Sequence, residues 1–257
     1  MPLSLQSLLP AETFSYLLVF SRIGATISLM PGFGESYVSP RIRLMLGLVI
    51  TVLLTPVVQN KLPALPGSPI SLALLVGGEA VIGFFMGSVA RLLLSALATG
   101  GAILAFLSGL ANAQLFNPLI SDQGALPGVF LSVMGLLLIF VTDLHHMMLM
   151  SLLDSYMVFP PGGPLPLGDF ANVMAQMLAE SFRIGLEIAS PFLMYGLVFY
   201  AGMGLLARMM AQLPIFFVAL PIQIMLGLFT MLLTLPAALL WFLNYYQTTF
   251  TRILLPS

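Results

Sequence analysis

Charge is scarce in this sequence. Its 257 residues include eight Lys or Arg and nine Asp or Glu, 7% of the chain, against roughly 25% in an ordinary soluble domain. So few charges cannot cover a globule of this size. In water it would present broad apolar patches and aggregate. A soluble enzyme and a disordered chain are excluded. The formal net charge of −1 leaves no basic face for nucleic acid. Cysteine is absent, which excludes disulfides, iron–sulfur clusters and thiolate metal sites. That absence leaves the redox compartment open. No Lys or Arg precedes Arg22, so the basic start of a cleaved signal peptide is missing. The first apolar run is expected to stay in the mature protein.

What the chain has instead is apolar length. Apolar residues make up 60% and the mean hydropathy is +1.09. The length allows about six or seven membrane spans at ~20 residues each. The runs are Phe14–Met30, Leu44–Val58, Ile70–Leu110, Val129–Leu153, Phe170–Arg208 and Leu213–Leu243. The third would reach about 60 Å as one helix, twice a hydrocarbon core of ~30 Å. Two readings stay open for it: a turn back near Gly100-Gly101, or one helix extending out of the bilayer. Pro191 should kink the fifth run. Asp169 could cap its start. Trp241, Tyr245 and Tyr246 stand where an aromatic interface belt would be. Heptads, long repeats and strand alternation are all missing, so the fold class is all-α.

Polar breaks separate the runs. Pro31-Gly32-Phe33-Gly34 is turn-forming. Pro63, Pro66 and Pro69 keep the 60–69 loop extended. Ala111–Gly128 carries Asn112, Gln114, Asn117, Pro118, Ser121, Asp122 and Gln123. Asp154–Gly168 is rich in Pro and Gly.

The positive-inside rule gives no clean answer. Arg41 and Arg43 place the first loop in the cytoplasm, and Lys61 then falls on the other side. Arg91 and Arg208 lie at apolar boundaries. Either eight cations are too few to decide, or the helices do not form an up-and-down bundle in lipid.

Charges within or beside apolar runs are the first site candidates: Arg22, Glu79, Arg91, Asp143, Glu180, Arg183, Glu187 and Arg208. A charge at the bilayer centre costs at least ~2.5–3.5 kcal/mol, so it normally faces protein or water. Pairing within the chain or across subunits is the expected role. Arg183 and Glu187 are spaced i,i+4, and Glu180 precedes Arg183 by three. Asp143, His145 and His146 suggest a metal or a proton relay. Adjacent histidines point about 100° apart on a helix, so an interfacial cluster is the expected reading and no metal site is assigned. Gly83 and Gly87 are a small-xxx-small pair for close helix packing, and Gly100 and Gly101 add to it. Seventeen methionines fit a deformable or ordinary apolar surface. No phosphate-binding, dinucleotide, zinc or nucleophile-elbow motif is present. No catalytic residue and no cofactor is expected.

The order of these features is specific. Pro31-Gly32-Phe33-Gly34 precedes Pro40-Arg41-Ile42-Arg43. Glu79-Ala80-Val81-Ile82-Gly83 leads to Gly100-Gly101 and Gly109. Asn117-Pro118 lies in the polar break and Asp143-Leu144-His145 in the fourth run. Pro191 and Gly204-Leu205-Leu206-Ala207-Arg208 lead to Gln212 and a 216–227 stretch containing Pro221. Across essentially the whole chain this resembles the FliR family of R-type flagellar export-gate subunits, related to the T-type subunits of virulence type III secretion systems. Ala211 stands where the family pattern has proline.

The resemblance implies a fold and a role. Long, kinked membrane-type helices and hairpins would pack into a hetero-oligomeric helical export gate with P-type and Q-type subunits. B-type and A-type export proteins, unfolded flagellar substrates and membrane lipid would be the further partners. The location would be the bacterial inner membrane at the flagellar basal body. Residues 1–168 would be a P-like part and 169–257 a Q-like hairpin. The 111–125 segment, with Asn112, Gln114, Phe116, Asn117, Pro118 and Asp122, would be a plug in the channel. The rival reading is a secondary transporter or ion channel with Glu79, Asp143 and Glu187 as relay carboxylates. It should show paired broken helices in repeated halves, and no convincing pair is visible.

Overall fold

A computed structural model describes residues 11–111, 125–209 and 215–254. The polar segment 112–124, and with it every named plug residue, lies outside that range. The described chain is all-α. Its helices are α1 (Ala11–Leu29), α2 (Pro40–Val58), α3 (Pro69–Leu107), α4 (Leu126–Val141), α5 (Leu144–Val158), α6 (Leu167–Met209) and α7 (Ile215–Leu254). Four long helical stretches are apolar enough to cross a membrane: Pro40–Lys61, Pro69–Leu107, Leu167–Met209 and Ala219–Ile253. The protein is an all-α membrane protein.

Local chemistry sets the helix ends. α1 stops at Pro31-Gly32, where Gly32 has φ +84°, and Gly34 N–H donates to the Met30 carbonyl at 2.8 Å. Ser39 caps α2, its hydroxyl accepting from Ile42 N–H, with Pro40 in the first turn. Proline suits that position because its missing N–H would be unpaired anyway. α3 runs unbroken through Gly100-Gly101, so the run does not turn back there. It stops at Gly109, whose φ is +74°. Gly109 and Ala111 then donate to the freed carbonyls of Phe106 and Ala105. α6 runs through Pro191 without a break. It begins at Leu167, which puts Asp169 inside its first turn. There the carboxylate still suits the positive helix end.

The described chain divides into two compact units. The first comprises residues 11–92, 142–177 and 248–254; the second, 93–111, 125–141, 178–209 and 215–247. In the first unit, Val19, Ile23 and Ile27 of α1 form a core with Val58 of α2 and Tyr156 of α5. Phe85 stacks on Phe170 at 4.1 Å, and Phe159 meets both edge-on. α2 buries a thin stripe of Gly47, Thr51, Thr55 and Val58. The Thr51 and Thr55 hydroxyls donate to carbonyls one turn back. Its outer face shows Leu48, Val49, Val52 and Leu53. Small residues inside and aliphatic ones outside is the pattern of a helix whose surroundings are lipid or another subunit.

In the second unit, glycines set the helix spacing. A side chain at Gly101 of α3 would collide with the Gly128 backbone of α4. One at Gly100 would stand 3.0 Å from the Gly185 carbonyl of α6. Leu93, Leu97, Ile188, Phe192, Phe242 and Tyr246 are buried there. Tyr245 is buried as well, in the first helical turn before the 248–254 stretch. The aromatic belt expected at Trp241, Tyr245 and Tyr246 is therefore reduced to Trp241, which is exposed.

Candidate functional site

The most heavily determined polar site is built on Arg22. This residue sits in the middle of an apolar helix and is fully buried. A bare guanidinium could not persist there. Three elements supply its partners. Nε donates to Glu79 Oε2 of α3 at 2.6 Å. Nη1 donates to Ser155 Oγ of α5 at 3.1 Å. Nη2 donates to the Phe159 carbonyl at 2.9 Å, where the Pro/Gly loop begins. The guanidinium carbon lies 4.0 Å from the centroid of the Tyr156 ring, within cation–π range. Glu79 is 1% exposed, so both members of the pair are buried.

Glycine makes the approach possible. α1 and α3 meet along Gly83 and Gly87. A Cβ at Gly83 would run into the Arg22 carbonyl oxygen, and one at Gly87 would lie 2.7 Å from the Thr26 carbonyl oxygen. Beside the ion pair is a cleft of about 660 Å³, lined by Leu75, Gly78, Glu79 and Ile82 of α3 and by Phe159, Pro160 and residues 162–166 of the loop. The arrangement locks three helices and a loop together.

The second unit holds a different polar site, without charge. Leu107 is the last residue of α3, and its carbonyl has no helical partner further on. Gln223 Nε2 of α7 donates to it at 2.8 Å, and to Tyr200 Oη of α6 at 2.8 Å. The Tyr195 hydroxyl of α6 reaches the Leu107 carbonyl at 2.9 Å and the Gln223 carbonyl at 3.2 Å. The Gln223 amide also packs on Gly109, at 3.2 Å from where a Cβ would be. The knot fixes the end of α3 immediately before Ala111. Gln223→Leu is expected to lower stability by about 0.5–1.5 kcal/mol, because the Leu107 carbonyl keeps only its Tyr195 donor and the Tyr200 hydroxyl loses one. Denaturant unfolding of the purified protein in detergent measures this. An unchanged midpoint would show that the knot is dispensable.

The remaining candidates fall as follows. Glu180, Arg183 and Glu187 lie together on α6: Arg183 Nη2 is 3.1 Å from Glu180 Oε2, and Nη1 is bonded to Glu187 Oε1. Arg183 is more than half exposed, so solvent screening leaves this triad little to add to stability. Arg91, Asp143 and Arg208 are exposed. Asp143 lies beside His146 at 3.4 Å. Sequence reasoning missed Ser155, Tyr156 and the Phe159 carbonyl, because a helix pattern does not say which turn of another helix faces it. It also missed Gln223, for which a signal existed. Gln223 is the sole polar side chain in the apolar stretch 215–229, and an isolated amide in such a stretch must find a partner.

Comparison with known proteins places these features in a group. Residues 13–249 match the family described as bacterial export proteins, family 1. The flagellar biosynthetic protein FliR of Caulobacter vibrioides is 38% identical, over 90% of this chain and 92% of its own length. The protein of the same name from Aquifex aeolicus is 27% identical, over 91% of this chain and 90% of its own. The secretion system apparatus protein SsaT of Salmonella typhimurium is 28% identical, over 74% of each.

Proposed function

The chain belongs to the bacterial export proteins, family 1, and from that membership we propose that it is a subunit of the flagellar type III protein export gate. The observation that carries this reading is a match over nearly the whole chain to a relative named for flagellar biosynthesis, and over about three quarters of it to one named for a secretion apparatus. A part in a flagellar or type III export apparatus follows from it directly. The finer picture is the proposal. The chain assembles with P-type and Q-type subunits into the channel through which flagellar proteins leave the cell. B-type and A-type export proteins and unfolded export substrates are its further partners. It sits in the bacterial inner membrane at the flagellar basal body, with residues 1–168 as a P-like part and 169–257 as a Q-like hairpin.

Two physical features support this reading. Aliphatic outer faces such as that of α2 call for lipid or neighbouring subunits. The 111–125 segment is rich in polar residues and lies in the sequence between two long apolar runs, and so polar a stretch suits a water-filled lumen better than lipid. Asn112, Gln114, Phe116, Asn117, Pro118 and Asp122 would then close the pore sterically, until an arriving substrate displaces them. The rival relay reading is weakened at Glu79, whose carboxylate is tied to Arg22 rather than free to carry protons.

One preparation tests both levels. The protein is extracted in mild detergent and its co-purifying chains are identified by mass. P-type and Q-type subunits are expected, and recovery of this chain alone would overturn the assembly. In the intact assembly, replacing residues 111–125 with a short Gly-Ser linker is expected to raise small-solute leakage. Leakage at the wild-type level would sink the pore-closing role alone.

A further inference from the structure

The break between α4 and α5 brings together three metal-binding side chains. Asp143 has φ +58°, and it is the sole non-glycine residue with positive φ among the described residues. A non-glycine residue in that region is strained and invites a functional explanation. Asp143 occupies the cap position of α5, yet its side chain makes no capping hydrogen bond. The carboxylate turns instead to the imidazoles: Oδ1 lies 3.4 Å from His146 Nδ1. The rings of His145 and His146 lie 4.1 Å apart, centroid to centroid. Side chains that ordinary helix geometry would splay are thus convergent here. Asp143, His145 and His146 each offer a ligand atom, and these atoms all lie within 4.8 Å of one another.

We propose that Asp143, His145 and His146 form a binding site for one divalent transition-metal ion, zinc being the first choice. The donor set is two imidazoles and one carboxylate, which suits zinc and its neighbours in the first row and not calcium or magnesium. With bonds of about 2.0–2.2 Å in tetrahedral geometry, donors around zinc stand roughly 3.3–3.5 Å apart. The Asp143–His146 pair already has that spacing. The rest of the set closes by small rotations, because the Asp143 and His146 side chains are about two-thirds to three-quarters exposed. The same exposure lets an ion enter. Three protein ligands leave one position for water. The carboxylate supplies the negative charge that offsets the positive end of the α5 dipole. A bound ion would hold Asp143 in its left-handed turn and so fix the start of α5.

The test uses the full chain in detergent, purified without a polyhistidine tag and stripped of metal. Equilibrium dialysis against zinc with elemental analysis is expected to give one ion per chain. Cobalt(II) in its place is expected to show the visible absorption of a low-coordinate nitrogen–oxygen site. Asp143→Asn and His146→Gln should each weaken zinc binding by about tenfold or more, and the triple variant with His145→Gln should lose it. All three positions are at the start of one helix, and helical content by circular dichroism checks that the variants fold. Asp154→Asn, elsewhere on α5, should leave binding unchanged. Failure to retain zinc, or equal retention by wild type and the triple variant (an adventitious ion only), would overturn the proposal.

Discussion

Glu79→Ala is expected to destabilise the protein by about 3–5 kcal/mol. Removing one partner of a buried ion pair leaves the other charge without compensation, and that cost exceeds what the pair itself contributes. Here the abandoned group is Arg22, fully buried under Tyr156. Ser155 Oγ and the Phe159 carbonyl would still accept its hydrogen bonds, but neither carries the balancing charge. Arg22→Ala should be about as damaging, because it strands the Glu79 carboxylate and opens a cavity beside Tyr156. The double variant Arg22→Met/Glu79→Leu is the informative one. It removes both charges and keeps most of the volume, so it should recover much of the loss. Denaturant midpoints in detergent measure the three variants, and steady-state abundance in membranes should follow them. A Glu79→Ala midpoint within experimental error of wild type would show that the pair does not hold the unit together. A double variant no better than either single would show that the Arg22 hydrogen bonds to Ser155 and the Phe159 carbonyl, and not charge balance alone, hold the unit together.

That experiment bears on what the sequence could show. Arg22 and Glu79 stand out as charges inside apolar runs, and burial with a partner was the expectation. Their mutual pairing was not readable: they are 57 residues apart, and either could have served another chain. The α6 triad was readable, because Glu180, Arg183 and Glu187 are fixed by i,i+3 and i,i+4 spacing within one helix. Gly100-Gly101 was ambiguous for a physical reason. Adjacent glycines serve equally a turn or a close helix contact, and only the positions of Gly128 and Gly185 decide for contact. Tyr245 and Tyr246 looked like interface aromatics from position in the run. Burial depends on neighbours that a single run does not display. His145 and His146 are successive residues of α5, yet their rings lie 4.1 Å apart, a closeness that the ~100° turn per residue does not display. The unclear orientation signal has a counterpart in α2, whose aliphatic outer face is open to lipid and to subunits alike.

The second large effect is expected where α1 and α3 touch. Gly83→Ala and Gly87→Ala should each cost roughly 1–3 kcal/mol, toward the upper end, because overpacking is worst when the obstacle cannot rotate away. At Gly83 the obstacle is the Arg22 backbone carbonyl; at Gly87 it is the Thr26 carbonyl oxygen, with the Leu29 Cβ at 2.8 Å. Neither is the far end of a flexible side chain. The helices must therefore move apart, and the 2.6 Å Arg22–Glu79 bond spans the same two helices. This makes a sharper prediction than the size of the loss. Separating α1 from α3 should already weaken the ion pair, so Gly83→Ala and Glu79→Ala should be sub-additive, with a coupling of ~0.5 kcal/mol or more. Gly101→Ala, which obstructs α3 against Gly128 of α4 in the second unit, should destabilise without such coupling to Glu79. A double-mutant cycle on the two pairs decides it. Strict additivity at Gly83 with Glu79 would show that the glycine contact and the buried charge are independent supports, and that the close approach of α1 and α3 is not what brings Arg22 to its carboxylate.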